Sequence, residues 1–250
     1  VRVIVTRPAA QAEGWLADLR ARGLDAQALP LIGIAPVQDL APLRQAWSEL
    51  AQAALVMFVS ANAVEQFFAA RPDVVAWPAD LAAASTGPGT TAALRAAGVV
   101  RVEEPTSDAP QFDSEALWAR IGSWPWAGRS VLVVRGEEGR DWLAQQLQEA
   151  GARVRFVSAY RRLAPSLDAA GHALLARALA EPAAHCWLFS SSEAVGHLLR
   201  LAPGAAWQAS RALASHPRIA QTARDAGFGR VDLVAPGVDA VLRSLGAGWG

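Results

Sequence analysis

The sequence predicts two similar α/β domains, each built on a doubly wound parallel sheet. Short apolar runs alternate with stretches of helical period along the whole chain, the pattern of strands joined by crossover helices. The runs are continuous, as in Leu55-Val56-Met57-Phe58-Val59, which suits strands covered on both faces. The second half of the chain also repeats the first.

At 250 residues the chain suits two domains of roughly 125, each large enough to bury a core. With 52% hydrophobic and 18% charged residues it reads as folded and globular. The 23 basic and 23 acidic residues cancel, so no global field draws the chain to nucleic acid or to a membrane surface. Counter-charges for an ionic ligand must therefore be local. All 23 basic residues are arginine, a usage that fits genomic base composition. It excludes lysine Schiff-base chemistry and the phosphate-gripping lysine of a P-loop. Cys186 stands alone in the run Cys186-Trp187-Leu188-Phe189 and reads as a buried strand thiol, since one thiol builds neither a disulfide nor a thiolate metal site. Val1 to Thr6 is already strand, so no targeting segment is read, and no apolar run approaches the ~20 residues of a membrane span. Cytoplasmic residence is the expectation.

In order, the strand Val3-Ile4-Val5 meets the turn Thr6-Arg7-Pro8 and a helix with Trp15, Leu16 and Leu19 on one face. Gly23 ends that helix, where a positive φ is wanted. A strand over Ala26 to Leu29 runs into Pro30 and the extended Leu31 to Ala35, closed by Pro36, which reads as a crossing between domains. A helix through Leu43, Trp47 and Leu50 leads to the Leu55 strand, the turn Ser60-Ala61-Asn62 and a helix burying Val64, Phe67 and Phe68. Leu81 to Ala84 is a strand, Ser85 to Thr91 a turn, and a helix stops at Gly98. Val99 to Val102 is a strand and Asp113 to Ile121 a helix, and the loop Ser123 to Gly128 follows. Val131 to Val134 is a buried strand, Arg135-Gly136 with Arg140 a turn, and a helix through Leu147 stops at Gly151. A second strand ends at Tyr160, the one tyrosine of the chain. Ala164-Pro165-Ser166 reads as the second crossing. A helix through Leu174, Leu175 and Leu179, the Cys186 strand, the turn Ser190-Ser191-Ser192 and a helix through Val195, Leu198 and Leu199 come next. The strand Ala212-Leu213-Ala214, the turn Ser215-His216-Pro217-Arg218, a helix ending near Gly227, a strand from Val231 to Val234 and a helix from Asp239 to Leu245 complete the chain.

The repeat lies at offsets of roughly 128 residues: Val3 to Arg7 on Val131 to Arg135, Gly23 on Gly151, Phe58 to Val64 on Phe189 to Val195, and Thr86 to Thr90 on Ser215 to Ile219. Each copy thus carries an arginine turn, a serine turn and a Gly/Thr or Ser/His turn. In a doubly wound sheet these lie at the carboxyl ends of the strands, where ligands bind at the topological switch point. Free N-H groups at helix N-termini hold anions. The predicted ligand is therefore a polyanion, held in a cleft between the two domains.

Other motifs are weaker. Gly87-Pro88-Gly89 lacks the third glycine and the placed acidic residue of a dinucleotide fingerprint, and reads as a tight turn that lets a ligand approach backbone. His172, His185, His197 and His216 show no metal-ligand spacing, so no metal is expected; His216, in a turn at the strand ends, is either a ligand contact or a turn residue. Ser191 has no GxSxG context and reads both as a helix N-cap and as a carboxylate donor. Tyr160 is either a packed residue with its hydroxyl in water or, beside Arg161-Arg162, a proton donor near an oriented acidic substrate.

Taken together, Val5-Thr6-Arg7-Pro8, Leu29-Pro30-Leu31-Ile32, Phe58 to Val64, Gly87-Pro88-Gly89-Thr90-Thr91, Val134-Arg135-Gly136 with Gly139-Arg140, Val157 to Arg161 and Phe189 to Ser192 resemble the uroporphyrinogen-III synthase family. The ordered set carries the resemblance, over nearly the whole chain. It implies two flavodoxin-like domains joined by a two-stranded linker, the first made of residues 1–35 and 164–250 and the second of residues 36–163. It implies a cofactor-free lyase that cyclises hydroxymethylbilane, a linear tetrapyrrole with eight carboxylates, to uroporphyrinogen III with inversion of ring D through a spiro-pyrrolenine. It further implies a monomer in heme biosynthesis that is able to receive substrate by channelling from the upstream deaminase, with no nucleic-acid or membrane partner.

Residue by residue, the resemblance makes Tyr160 the acid for hydroxyl departure, placed at the mouth of the cleft and not at the edge of a core. It assigns substrate contacts to Arg7, Ser60, Asn62, Gly87, Thr90, Arg135, Gly136, Arg140, Ser190, Ser191, Ser192, Ser215, His216 and Arg218. In the last turn many relatives carry Gly-Pro-Thr-Thr-like residues where this chain has His216-Pro217-Arg218-Ile219, so a threonine role does not carry over. From a different class, the same fold would serve as a non-catalytic module that senses an anionic metabolite.

Overall fold

The computed structural model describes residues 1–106, 113–137, 141–235 and 237–246. In chain order it forms β1 (Arg2–Val5), α1 (Ala9–Ala21), β2 (Ala26–Ala28), β3 (Gly33–Pro36), α2 (Ala41–Ser48), β4 (Leu55–Phe58), α3 (Ala61–Ala69), β5 (Ala82–Ser85), α4 (Pro88–Ala96), β6 (Val102–Glu103) and α5 (Ser114–Ile121). There follow β7 (Ser130–Gly136), α6 (Trp142–Glu149), β8 (Arg153–Leu163), α7 (Ala169–Ala180), β9 (His185–Phe189), α8 (Ser192–Leu201), β10 (Arg211–Ala214), α9 (Pro217–Asp225), β11 (Arg230–Leu233) and α10 (Val238–Gly246). The chain divides into two units, Val1–Gly33 with Leu163–Gly250, and Ile34–Arg162.

In the first unit the sheet order is β11-β10-β9-β1-β2, with every neighbour parallel. Numbered within the unit, this is the 2-1-3-4-5 order of a flavodoxin-like sheet. Both faces are covered, so Val3, Ile4 and Val5 are buried alike. Val3 and Val5 pack with Ala12 and Leu19 of α1 and Val241 of α10. Toward the opposite edge Trp187 meets Trp207 edge-on at 6.0 Å and Phe189 meets Phe228 at 5.6 Å.

The second unit carries the sheet β3-β8-β7-β4-β5-β6. Its five strands from β8 to β6 are parallel and repeat the same order, except that the first strand-helix-strand of the pattern, β7-α6-β8, comes last within the unit. Alternate residues of β4 face opposite layers, as the pleat requires. Val56 and Phe58 pack with Trp47, Phe67 and Leu94, and Leu55 and Met57 pack with Leu117, Ile121 and Leu147. Trp47 stacks on Phe67 at 4.7 Å and donates its indole N-H to the Phe67 carbonyl.

The repeat seen in the sequence returns as hydrogen-bonded register. Val3 faces Ala26 and Val131 faces Val154; β1 meets β9 at Val3↔Cys186, and β7 meets β4 at Val131↔Leu55. Gly23 and Gly151 both adopt positive φ, +81° and +90°, the conformation glycine accepts at a helix end. Two elements differ from expectation. The strand read over Val99 to Val102 is only Val102–Glu103, because Val99 lies in the helix-covered core. Strand β8 does not end at Tyr160 but continues to Leu163. Its last residues pair with the neighbouring strand β3, where a Cβ on Gly33 would stand 3.1 Å from that of Leu163. The chain passes between its units at Gly33/Ile34 and Arg162/Leu163.

Candidate active site

At the carboxyl end of the second sheet, the last residues of β7 and β8 and the turn after β4 converge. Ser60 is the N-cap of α3: its backbone is extended, and its Oγ accepts the Ala63 N-H at 3.2 Å, satisfying one of the helix's open donors. The Tyr160 hydroxyl lies 3.1 Å from the same Oγ. Tyr160 belongs to β8 and Ser60 follows β4, with β7 between them, so the phenol spans two strand spacings of ~4.8 Å each. Gly136, at the end of β7, makes this possible: a Cβ there would lie 3.1 Å from the Tyr160 ring.

This corrects the expectation that Tyr160 stands at a mouth and not in a core. The residue is 1% exposed, and its ring packs in the cluster of Phe58, Val134 and Val157. Alternation along β8 turns Val157 and Ala159 toward the layer of α3, and a register irregularity, by which Gly136 pairs with Tyr160 directly after Arg135 pairs with Ser158, brings Tyr160 into the same cluster. Ser60, by contrast, is half-buried.

The neighbouring turns of this unit are partly committed internally. Gly87 caps α4 with extended backbone and offers no side chain, and Thr90 is buried behind it with its N-H on the Gly87 carbonyl. Unexpected from the sequence is a chain of three groups next to it: Ser85 Oγ lies 2.6 Å from Thr91 Oγ1, which donates to Glu104 at 2.8 Å. A hydroxyl pair six residues apart across a strand-to-helix turn is its only signal in the sequence. Asn62 is largely buried in the first turn of α3. Arg135 forms an ion pair with Asp141 and lies over the Phe156 ring at 4.4 Å, so its charge is already answered. Arg140 and Gly139 lie outside the described residues.

In the first unit, Arg7 follows β1 and stacks over Trp15 with the guanidinium carbon 4.7 Å from the ring, a cation-π contact. Burial lowers its pKa from the ordinary value, yet a guanidinium stays charged. Its Nε is buried with no hydrogen-bond partner among the described residues. Ser190 sits in the turn after β9, and Ser191 caps α8 by accepting the Glu193 N-H at 3.2 Å. Ser192 Oγ lies 3.1 Å from the Thr222 hydroxyl of α9. After β10, Ser215 leads to His216, whose Nδ1 accepts the Arg218 N-H at 3.1 Å and so caps α9. That acceptor role fixes the ring proton on Nε2. Arg218 stands in the first turn of α9. The structure thus gathers Ser60, Asn62, Gly87, Thr90, Gly136 and Tyr160 in one unit and Arg7, Ser190, Ser191, Ser192, Ser215, His216 and Arg218 in the other.

The remaining reactive side chains serve the scaffold. Cys186 is fully buried, and burial, with the Asp232 charge adding to it, pushes its thiol far above the ordinary value. His172, His185 and His197 each direct Nδ1 at a main-chain carbonyl, of Asp168, Glu181 and Leu31. Among the described residues no group of three His, Cys, Asp or Glu side chains could hold a metal, and no helix is long and apolar enough to cross a membrane.

Comparison with known proteins gives the arrangement its context. The family model described as "Uroporphyrinogen-III synthase HemD" matches residues 13–241. The uroporphyrinogen-III synthase of Salmonella typhimurium is 30% identical over 173 residues, 69% of each chain. That of Synechococcus elongatus is 34% identical over 169 residues, 66% of this chain and 61% of the relative. Among solved structures, uroporphyrinogen-III synthetase from Helicobacter pylori superposes with a TM-score of 0.63 at 13% identity over 98% of both chains. A mutant uroporphyrinogen III synthase from Thermus thermophilus superposes with 0.59 at 20% identity over 99% of this chain and 98% of that one. The structural likenesses carry the fold alone; by the family model and the sequence relatives the chain belongs to the uroporphyrinogen-III synthase family.

Proposed function

We propose that the protein is a uroporphyrinogen-III synthase acting in tetrapyrrole biosynthesis as a cofactor-free lyase that converts hydroxymethylbilane to uroporphyrinogen III and water. The observation that carries the reading is the Tyr160 hydroxyl, delivered through the gap at Gly136 to the Ser60 cap at the carboxyl end of its sheet. Loss of the terminal hydroxyl needs one proton and leaves an azafulvene cation. That cation attacks the substituted α-carbon of ring D, and the spiro-pyrrolenine so formed fragments and recloses through the other α-position. A final C-H proton is lost, so the net change is loss of one water.

Tyr160 is the source of the first proton. Arg7 is the strongest candidate for a carboxylate partner, because its charge is partly desolvated and its Nε is unanswered. Ser191 and the open N-H groups at the starts of α4, α8 and α9 take further propionates and acetates of the substrate. His216 Nε2-H and Arg218 supply the donors and charge that replace the family's hydroxyls in the last turn. Since the linear substrate closes unaided to the symmetric isomer, the protein's main contribution is to hold rings A and D in the spiro geometry.

Incubation with enzymatically generated hydroxymethylbilane, followed by oxidation and separation of the porphyrin isomers, tests the reading. Type III product is expected. Type I alone would overturn it in favour of a module that binds an anionic metabolite without turnover. Tyr160→Phe is expected to slow type III formation severalfold with product binding intact.

A further inference from the structure

The geometry points to Ser60 as the group that hands the proton to the leaving hydroxyl, with Tyr160 behind it as the reservoir: a two-proton relay from phenol to serine to substrate. This rests on, and deepens, the reading of Tyr160 as the acid. Burial comes first. Tyr160 is 1% exposed while Ser60 is half-buried, so of the two hydroxyls the serine is the one that a bound ligand meets.

Partner counting comes second. Among the described residues the phenol's one hydrogen-bond partner is Ser60 Oγ, and a buried O-H left without an acceptor is costly. The phenol therefore donates to Ser60. Serine carries one O-H and two lone pairs. With one lone pair on the Ala63 N-H and the other on the phenol, its own proton is directed away from the core. Third, the Ala63 N-H belongs to the first turn of α3, whose open N-H groups favour negative charge. Electron density gained by the Ser60 oxygen in transit is thereby stabilised.

The transfer balances as follows. The substrate C-O bond breaks and its electron pair leaves with oxygen. That oxygen takes the Ser60 proton as Ser60 Oγ takes the Tyr160 proton, leaving water, the azafulvene cation and a phenolate. The proton released when the macrocycle regains its aromatic pyrrole returns by the same path. Ser60 is never a free alkoxide, and it is no simple carboxylate contact. Gly136 is a positioning residue, because it keeps the phenol's path over β7 open.

Having one tyrosine in the chain makes the test direct. In the free protein, the tyrosine Fermi doublet of the Raman spectrum reports whether that phenol donates or accepts. Wild type and Ser60→Thr should show the donor pattern, and Ser60→Gly should lose it; glycine is tolerated as an N-cap at a cost of a few tenths of a kcal/mol, so α3 remains. An acceptor pattern in wild type overturns the relay without reference to turnover. In single-turnover assays Ser60→Gly should lose at least as much rate as Tyr160→Phe, Ser60→Thr should recover most of it, and the double variant should be no slower than Ser60→Gly alone. Rate plotted against deuterium fraction should curve for wild type, as two protons in flight require, and straighten in Tyr160→Phe. Type III formation with a straight wild-type plot, or with Ser60→Gly as fast as wild type, overturns the relay and leaves the synthase reading standing; type I alone removes the synthase reading.

Discussion

Arg7 and Arg135 hold equivalent positions in the two copies of the repeat, yet their surroundings have diverged. Arg135 is answered by Asp141 and lies over Phe156; Arg7 lies over Trp15 with its Nε unanswered. Tyr160 has Ile32 as its counterpart in the first unit, a buried apolar residue, and Gly136 has Pro8. Duplication supplied two sets of helix N-termini. On the function proposed above, substitution then left one set to receive anions through Arg7 and the other to move a proton through Tyr160 and Ser60.

The contrast is broken most sharply at the arginines. A charge-assisted hydrogen bond contributes about 1.5–3 kcal/mol, or roughly 10- to 100-fold in affinity, so Arg7→Ala should weaken apparent substrate affinity by that much. Arg135→Ala loses a pair whose Asp141 side is half exposed, which is worth about 0–1 kcal/mol, and should change affinity by less than about fivefold. Equal effects in titrations of product binding would abolish the distinction. Arg218→Ala should fall between the two, and an unchanged affinity would remove it from the site.

Gly136 comes next. A methyl group there meets the Tyr160 ring at 3.1 Å, and the ring is confined on its other sides by the core. Gly136→Ala should cost about 1–3 kcal/mol, lower the thermal midpoint and slow type III formation by displacing the phenol from Ser60. A variant as stable and as fast as wild type would show that the glycine is not what admits the ring.

The duplicated scaffold is legible in the chain because its signals are local: strand runs apolar on both faces, Ser60 and Ser191 at caps, Gly23 and Gly151 at positive φ. What failed to show depends on neighbours far apart in sequence. The strand reads as ending at Tyr160, but Arg161 and Arg162 continue β8 because β3, over a hundred residues earlier, supplies a partner strand. Tyr160 is expected at the mouth of a cleft, but the missing side chain at Gly136 opens a path over β7 that no periodicity reveals. The Ser85-Thr91-Glu104 chain and the Trp15 shelf under Arg7 likewise arise only when the turns are folded.

The strands beneath the turns differ in a buried thiol. Cys186 of β9 and Leu55 of β4 occupy equivalent register positions. Because burial raises the Cys186 thiol above its ordinary 9.0, the folded state keeps a proton that the unfolded chain releases. The sign follows: this contribution is complete below pH 9.0 and is lost as pH rises beyond it, by at most about 1.4 kcal/mol per pH unit. Cys186→Val should flatten the alkaline fall in stability, measured by denaturant unfolding; an identical slope would mean that the thiol does not titrate differently on unfolding.

The finest distinction is between the two serine caps, which are equivalent in the repeat. Ser191→Ala should cost about 1 kcal/mol of stability through its lost cap, and Ser191→Gly only a few tenths. If Ser191 also meets a carboxylate, both changes weaken product binding alike, by about three- to tenfold, and leave the single-turnover rate at saturation intact. Ser60→Gly should do the reverse, slowing the rate at unchanged affinity, because its hydroxyl lies against Tyr160 while that of Ser191 accepts, among the described residues, only the Glu193 N-H. Binding loss that tracks stability, large for alanine and absent for glycine, would reduce Ser191 to a cap and leave carboxylate recognition in that turn to the backbone of α8.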